Sequence, residues 1–90
     1  MNFEWDEEKR RGNIAKHGID FARAATVFDG RPYIDLQSSH PDEPRLLRVS
    51  MLDGVLCTVV WTMRVGLAVR IISVRRSRDA EKARHHARHV

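Results

Sequence analysis

Apolar positions in the first third of the chain recur at helical spacing. Asp6 can cap a helix that runs from Glu7 to about His17, and Gly18 is a residue type that commonly follows the end of a helix. Asp20 then begins a second helix. The apolar side chains of this second helix recur at i, i+3, i+4 and i+7, and they are Phe21, Ala24, Ala25 and Phe28. The pattern predicts two short consecutive helices, each with one buried face.

The second half of the chain changes to the period of strands. Three runs are rich in Val, Ile, Leu and Thr, and they are Arg45–Leu52, Val55–Arg64 and Leu67–Val74. Asp53-Gly54 predicts a two-residue type I′ hairpin between the first two runs, and Val65-Gly66 predicts a second turn of that length. The middle run is apolar on both faces, so we expect it to be the central strand.

Three shorter segments complete the prediction. Asn2–Trp5 and Tyr33–Leu36 each indicate a short strand, and Ser77 can cap a last helix that continues to the C-terminal region. The predicted fold class is therefore α+β. A single domain over residues 1–90 would pack two N-terminal helices on an antiparallel β-sheet, with a C-terminal helix as the last element.

The two hairpins also predict a strand register. With two-residue turns, position 45 opposes position 62, and position 62 opposes position 69. Arg45, Thr62 and Arg64 then gather at one end of one sheet face, while Arg70 lies at the same end on the opposite face. This predicts a cluster of arginines at the edge of the sheet, provided that neither turn shifts the register.

Charge is distributed unevenly along the chain. Residues 1–63 carry eight basic and ten acidic side chains, whereas residues 64–90 carry eight basic and only two acidic ones. Seven of those last eight cations are arginine, whose planar fork suits phosphate. The pattern is typical of a protein that binds nucleic acid, although a solvated helix face would give a similar charge excess.

Composition excludes several other classes. No apolar run approaches the ~18 residues that a membrane span needs, and the N-terminus is acidic where a signal peptide would be basic. The single cysteine, Cys57, excludes an internal disulfide. We expect a cytoplasmic protein that has no membrane association and no cofactor.

The last predicted helix carries the best candidates for chemistry. Glu81, His85 and His89 fall at i, i+4 and i+8, so they share one helix face. This face could hold a divalent metal, but acid–base cleavage of RNA beside arginines is the favoured use, because it needs no metal. The alternative for His85 and His86 is two exposed polar positions without a catalytic role. Lys16-His17-Gly18 reads more simply as the C-terminus of a helix than as a catalytic site.

Motifs spread over nearly the whole chain resemble one known family. The first segment, from Phe3 to Phe28, reads F-x-W-D-x-x-K-x-x-x-N-x-x-K-H-G-x-x-F-x-x-A-x-x-x-F. The later motifs are Glu43-x-Arg45, Thr62-x-Arg64 and Arg70-Ile71-Ile72-Ser73-x-Arg75, followed by Glu81. Together they resemble the BrnT family of toxins from bacterial type II toxin–antitoxin systems.

The resemblance implies a fold and a biological role. It implies a RelE-like fold and a metal-independent endoribonuclease that blocks translation by cutting RNA, either free or on the ribosome. It also implies a BrnA-type antitoxin, which would form a 2:2 heterotetramer with the toxin and would bind promoter DNA through its own DNA-binding domain. Two alternatives are a binding module that sits on RNA or the ribosome without cutting, and a decayed toxin that serves only as the antitoxin's partner.

Residues and resemblance together give the expected site, which contains no metal ligand. The expected catalytic residues are Arg64, Arg70, Arg75, Glu81 and His85, with the arginines on phosphate and the last two as acid–base groups. The expected RNA-binding residues are Lys9, Lys16, His17, Arg45, Arg76 and Arg78. One departure stands out, because the family usually has a tyrosine one turn after the Glu81 position, where this chain has His85.

Overall fold

The computed structural model describes residues 1–39 and 43–90, which contain five strands and three helices. In chain order these are β1 Phe3–Glu4, α1 Glu7–His17, α2 Phe21–Ala24, β2 Tyr33–Gln37, β3 Leu46–Leu52, β4 Val55–Met63, β5 Val69–Arg76 and α3 Asp79–Arg88. The predicted second helix is α-helical only as far as Ala24 and continues as a 3-10 helix over Ala25–Phe28. Within the described residues, no helix is long and apolar enough to cross a membrane.

The five strands form one sheet in the order β1-β5-β4-β3-β2, so β4 is the central strand, as predicted. The pairs β2–β3, β3–β4 and β4–β5 are antiparallel, but β1 runs parallel to β5. The expectation of a purely antiparallel sheet was therefore wrong. β1 and β5 are separated in sequence by most of the domain, and no hairpin joins them. Local sequence signals therefore could not predict the direction of β1 relative to β5.

The two predicted hairpins differ in outcome. Asp53 and Gly54 have φ values of 53° and 81°, the positive pair that a type I′ turn requires, which confirms the first turn. In the second turn, the Arg64 N–H donates to the carbonyl of Ala68 at 2.8 Å, which makes a loop of three residues. The two-residue turn at Val65-Gly66 was therefore wrong.

The longer loop changes which side chains share a face. Thr62 pairs with Arg70 and not with position 69, and a further register shift follows between Val60 and Trp61. Directly paired residues of antiparallel strands point to the same side of the sheet. Arg70 therefore lies on the face of Thr62, and its predicted position on the opposite face was wrong.

Helices cover both faces of the sheet. α1 and α2 contact β5 on one face, and α3 contacts β2 and β3 on the other. The main core lies under α1 and α2, where buried side chains from the second helix meet those from β3, β4 and β5. Its buried members are Phe21, Ala24, Val27, Leu52, Cys57, Val59, Trp61, Val69, Ile71 and Val74.

The helix ends follow the predicted signals at the first two helices but not at the third. The Asp6 carboxylate accepts hydrogen bonds from the N–H groups of Glu8 and Lys9, and Gly18 ends α1 with a φ of 70°. Ser77 does not cap α3, because its hydroxyl is hydrogen-bonded to that of Thr58 at 2.8 Å. The first turn of α3 is held instead by the Glu81 carboxylate, which accepts the Arg78 N–H at 2.8 Å.

Candidate active site on the α3 face of the sheet

α3 crosses one end of its sheet face. At its start, the Glu81 carboxylate reaches the hydroxyl of Thr58, and at its end the Nε2 atom of His89 lies 2.8 Å from the carbonyl oxygen of Tyr33. Tyr33 pairs with Ser50, and Ser50 pairs with Cys57, which is next to Thr58 in β4. Both contacts of α3 therefore lie at the same level along the strands. Thr62 lies four residues further along β4, about 13 Å away.

A cluster of arginines surrounds Thr62 at that other end, and we call it the arginine rim. Its members are Arg45, Thr62, Arg64 and Arg70. Arg70 pairs directly with Thr62. Leu46 pairs with Trp61, so the preceding residue, Arg45, lies beside Thr62. The Thr62 hydroxyl donates to the carbonyl of Pro44 at 2.6 Å, which holds the segment that carries Arg45 against β4. The rim is thus assembled from the ends of three adjacent strands.

Two of the rim arginines already have carboxylate partners. Arg70 contacts Glu4 of β1 at 2.7 Å, and Arg45 lies 3.5 Å from Glu43. Arg64 is exposed and forms no ion pair with any residue in the described ranges. Arg64 is therefore the rim cation that can accept an external phosphate without first releasing a carboxylate.

A second polar cluster, which we call the inner cluster, lies under the start of α3 and consists of Thr58, Arg75, Ser77 and Glu81. Arg75 donates two hydrogen bonds to Glu81, at 2.8 and 2.9 Å, which is the bidentate geometry of a strong ion pair. The Thr58 hydroxyl also donates to Glu81, at 2.9 Å. All four members are at least half-buried, and their hydrogen bonds join them into one network.

These contacts fix the charge state of Glu81. The hydrogen bonds from Arg75, assisted by those from the Arg78 N–H and the Thr58 hydroxyl, lower the pKa of Glu81 from 4.5 to about 2. The same ion pair raises the pKa of Arg75 further above its already high ordinary value. Because a group with a pKa near 2 holds almost no proton at neutral pH, the geometry favours Glu81 as a positioning group for Arg75.

The expected catalytic residues therefore form two groups. Arg64 and Arg70 belong to the rim, whereas Arg75 and Glu81 belong to the inner cluster. Arg70 pairs with Thr62 and Arg75 pairs with Thr58, which lies four residues away on β4, so the backbones of the two arginines are about 13 Å apart. The rim and the inner cluster therefore lie at opposite ends of this sheet face.

His85 lies one turn after Glu81 and is buried, with only 9% of its surface exposed. Its Nε2 atom has no hydrogen-bond partner in the described part of the chain. Its ring packs against that of His89, with centroids 4.6 Å apart, which confirms that the two share a helix face. His86 is exposed. Among the described residues, no three His, Cys, Asp or Glu side chains are arranged to hold a metal ion.

The remaining RNA-binding candidates lie away from the rim. Lys9, Lys16 and His17 are exposed on α1, which packs against the opposite sheet face. His17 and Arg76 line one groove of about 470 Å³, together with Gly18, Asp20, Arg23 and Asp53 among others. Arg78 is exposed beside the first turn of α3. Only Arg45 of this set lies at the rim.

Sequence reasoning missed one partner in each cluster, the Thr58 hydroxyl and the Glu4 carboxylate. Thr58 joins Glu81 to the sheet, and Glu4 reaches Arg70 from the far end of the chain. Thr58 carried a usable signal, since it is a polar residue in the most apolar strand of the sequence. Glu4 carried none, because its contact depends on the parallel pairing of β1 with β5.

Comparisons with known proteins agree with this architecture. The sequence model of a family described as "Ribonuclease toxin, BrnT, of type II toxin-antitoxin system" matches residues 5–81. Among solved structures, the chain is similar to the ribonuclease toxin BrnT of Brucella abortus, with 30% sequence identity and a TM-score of 0.68. That match covers 88% of this chain and 99% of the Brucella chain. No curated protein sequence matches the chain significantly.

The two matches agree on the family, and the family model spans both clusters. The matched segment of 5–81 includes the arginine rim and the inner cluster, and it ends at Glu81, so His85 lies beyond it. The chain therefore belongs to the BrnT family of ribonuclease toxins of type II toxin–antitoxin systems.

Proposed function

We propose that this chain is a metal-independent endoribonuclease that binds its RNA substrate across the α3 face of the sheet. The observation that carries the proposal is the arginine rim, in which Arg70 directly opposes Thr62 and the exposed Arg64 has no acidic partner in the described ranges. Three guanidinium groups at one corner supply the positive charge that a phosphodiester in reaction requires.

The reaction would be an internal transesterification. The 2′-oxygen of one ribose attacks the adjacent phosphorus, the bond from phosphorus to the 5′-oxygen of the next nucleotide breaks, and a 2′,3′-cyclic phosphate forms. A base removes the proton of the 2′-hydroxyl, and an acid gives a proton to the departing 5′-oxygen. Arg64 and Arg70 stabilise the charge on the pentavalent phosphorus, while Arg75, held by Glu81, binds a neighbouring part of the backbone.

His85 is the proposed acid–base residue on this face. Glu81, with a pKa of about 2, is saturated by donors, whereas the Nε2 atom of His85 has no partner among the described residues. An imidazole also exchanges protons nearer neutral pH than the tyrosine usual at this position in the family. Because His85 is buried and α3 crosses the sheet about 13 Å from Thr62, α3 would have to move towards the rim for His85 to reach the reacting ribose.

The other expected cations bind flanking RNA. Arg45 belongs to the rim itself, and Arg78 lies beside the inner cluster, so both can contact backbone phosphates on the α3 face. Lys9, Lys16, His17 and Arg76 lie on or beside α1, and they would hold RNA that passes around the edge of the sheet. These contacts would strengthen binding in a salt-dependent manner without selecting sequence.

In the cell, the activity would block translation until a partner neutralises it. We propose a BrnA-type antitoxin in a 2:2 complex that covers the arginine rim with acidic side chains and binds promoter DNA through its own DNA-binding domain. An acidic covering segment follows from charge complementarity, since it must compete with RNA for the same arginines. We also propose that the fold is related to that of RelE-like toxins.

The test is cleavage of a short fluorescent RNA by the purified full chain in the presence of EDTA. We expect products that carry a 2′,3′-cyclic phosphate, and we expect the acidic antitoxin to suppress them. Tight, salt-sensitive RNA binding without any product, on free RNA and in a translating extract, would instead establish a binding module. Cleavage that stops in EDTA and returns with Mg²⁺ would refute metal independence.

A further inference from the structure

The outer edge of β2 is a strand edge with unused backbone groups. The Ser38 N–H donates to the carbonyl of Arg45 at 3.1 Å, so position 38 is hydrogen-bonded to the β3 side. In an antiparallel pair these bonded positions alternate, which directs the backbone groups of Ile34 and Leu36 towards β3. The backbone N–H and C=O groups of Asp35 and Gln37 therefore point away from the sheet.

A groove of about 660 Å³ runs between this edge and the last turns of α3. β2 lines it from Tyr33 to Leu36, and α3 contributes Arg84, Ala87, Arg88 and His89. The contact of His89 Nε2 with the Tyr33 carbonyl, at 2.8 Å, occupies one outward-facing backbone group. The backbone groups of the next outward positions, Asp35 and Gln37, form no hydrogen bond with any residue in the described ranges, so a partner can use them.

The groove is positively charged. Asp35 is its acidic lining residue, but its carboxylate is held by two hydrogen bonds from Arg48, both 2.9 Å long. Arg84 and Arg88 are exposed and form no ion pair within the described ranges. An occupant that carries negative side chains would therefore find two free guanidinium groups along one wall.

We propose that this groove docks an extended, acidic segment of a partner protein, which adds to the sheet as a sixth strand beside β2. Its backbone pairs with Asp35 and Gln37, and its acidic side chains contact Arg84 and Arg88. The α3 wall lies beyond residues 5–81, the segment that the family model matches. The lining of the groove contains no residue of the arginine rim, and docking does not depend on RNA cleavage.

Two other occupants fit less well. A second copy of the chain, paired through its own β2, would bring two copies of Arg84 and Arg88 to one seam, where like charges repel. RNA would satisfy the arginines but cannot form the regular backbone ladder that the outward groups of Asp35 and Gln37 offer. The combination of a strand edge with free cations selects an acidic peptide.

The experiment follows the backbone amide signals of the isotope-labelled full chain during titration with a peptide of about eight residues that alternates Val and Glu. We expect shifts, and slowed hydrogen exchange, at the amides of Asp35 and Gln37. Arg84→Glu combined with Arg88→Glu should weaken binding at least about tenfold, whereas Lys82→Glu, a single charge reversal on the same helix outside the groove, should change it less than about twofold.

A second pair of variants isolates the strand contact. Gln37→Pro removes an outward N–H that β3 does not use, so it should weaken peptide binding, while Gln37→Ala keeps the N–H and should bind normally. The proposal is overturned if the peptide shifts only residues outside the groove, if a Val–Lys peptide binds equally well, or if a short RNA protects the same two amides. Self-association of the free chain through β2 would also overturn it. Because the readout is peptide binding, a chain that cuts no RNA can still pass this test.

Discussion

The side-chain amide of Asn13 and the backbone of Val74 form a reciprocal hydrogen-bonded pair. The Nδ2 atom donates to the Val74 carbonyl at 2.9 Å, and the Val74 N–H donates to Oδ1 at 3.1 Å. β1 pairs with β5 only at Val69 and Arg70, so further along β5 the amide takes the place of a missing strand. Nδ2 also donates to the carbonyl of Ile19, at 2.9 Å, which ties the α1–α2 connection to the same point.

We predict that Asn13→Ala destabilises the fold by about 2–4 kcal/mol. The substitution leaves the buried N–H and C=O groups of Val74 without partners, and each such group costs about 1–3 kcal/mol. Urea unfolding followed by circular dichroism measures the change. Lys16→Ala, on an exposed position of the same helix, is the matched control and should alter stability by less than about 0.5 kcal/mol. Equal stability of the two variants would show that the amide does not support β5.

Because of the inner cluster, we predict that the free energy of unfolding decreases as the pH falls into the acid range. The pKa of Glu81 is lowered from 4.5 to about 2 in the folded state. The ionised carboxylate therefore stabilises the fold above pH 4.5, by at most about 3 kcal/mol, and this contribution is lost as the pH falls towards 2. Glu81→Gln should remove this part of the acid dependence.

The measurement is urea unfolding at a series of pH values between 7 and 2.5. The wild-type chain should lose more stability over this range than Glu81→Gln does, and the two curves should converge at the acid end. Asp79→Asn removes an exposed carboxylate from the same helical turn and should follow the wild-type curve. Parallel curves for wild type and Glu81→Gln would contradict the assigned pKa.

The sequence predicted elements that depend on local signals. Asp6, Gly18 and the Asp53-Gly54 turn each act within a few residues, and all three lie where the pattern placed them. The three-residue loop after Arg64 was not predicted, because it requires Leu67 in the left-handed region, at a φ of 66°, which side chains of that type rarely adopt. That one added residue moved Arg70 to the face of Thr62.

The site was predicted less completely, since its geometry depends on contacts between distant segments. The arginines of the rim were identifiable from charge and motif, but their partners Glu4 and Glu43 depend on how the ends of the sheet assemble. The helical spacing of Glu81 and His85 correctly placed them on one face. It gave no information on the Arg75 ion pair that saturates Glu81.

The proposed role of His85 predicts a specific pH dependence of RNA cleavage. The rate should change with pH in the wild-type chain, and this change should disappear in His85→Ala and His85→Tyr, because both variants lack the imidazole. His86→Ala should retain it, because His86 is exposed and lies ~100° around the helix. The measurement is the rate of cleavage of a short fluorescent RNA at a series of pH values. An unchanged profile in His85→Ala would show that His85 is not the acid–base residue.

If the arginine rim holds the reacting phosphate, Arg64 should be essential for cleavage, because it is exposed and has no acidic partner in the described ranges. The decisive measurement compares the rate of RNA cleavage in EDTA by wild type, Arg64→Ala and Arg11→Ala, each with its fold checked by circular dichroism. Arg11→Ala removes an equal charge from α1, away from the rim. Loss of a donor to a developing oxyanion predicts a rate about a hundredfold lower for Arg64→Ala, with Arg11→Ala within about twofold of wild type. A folded Arg64→Ala that cleaves RNA at the wild-type rate would contradict the account.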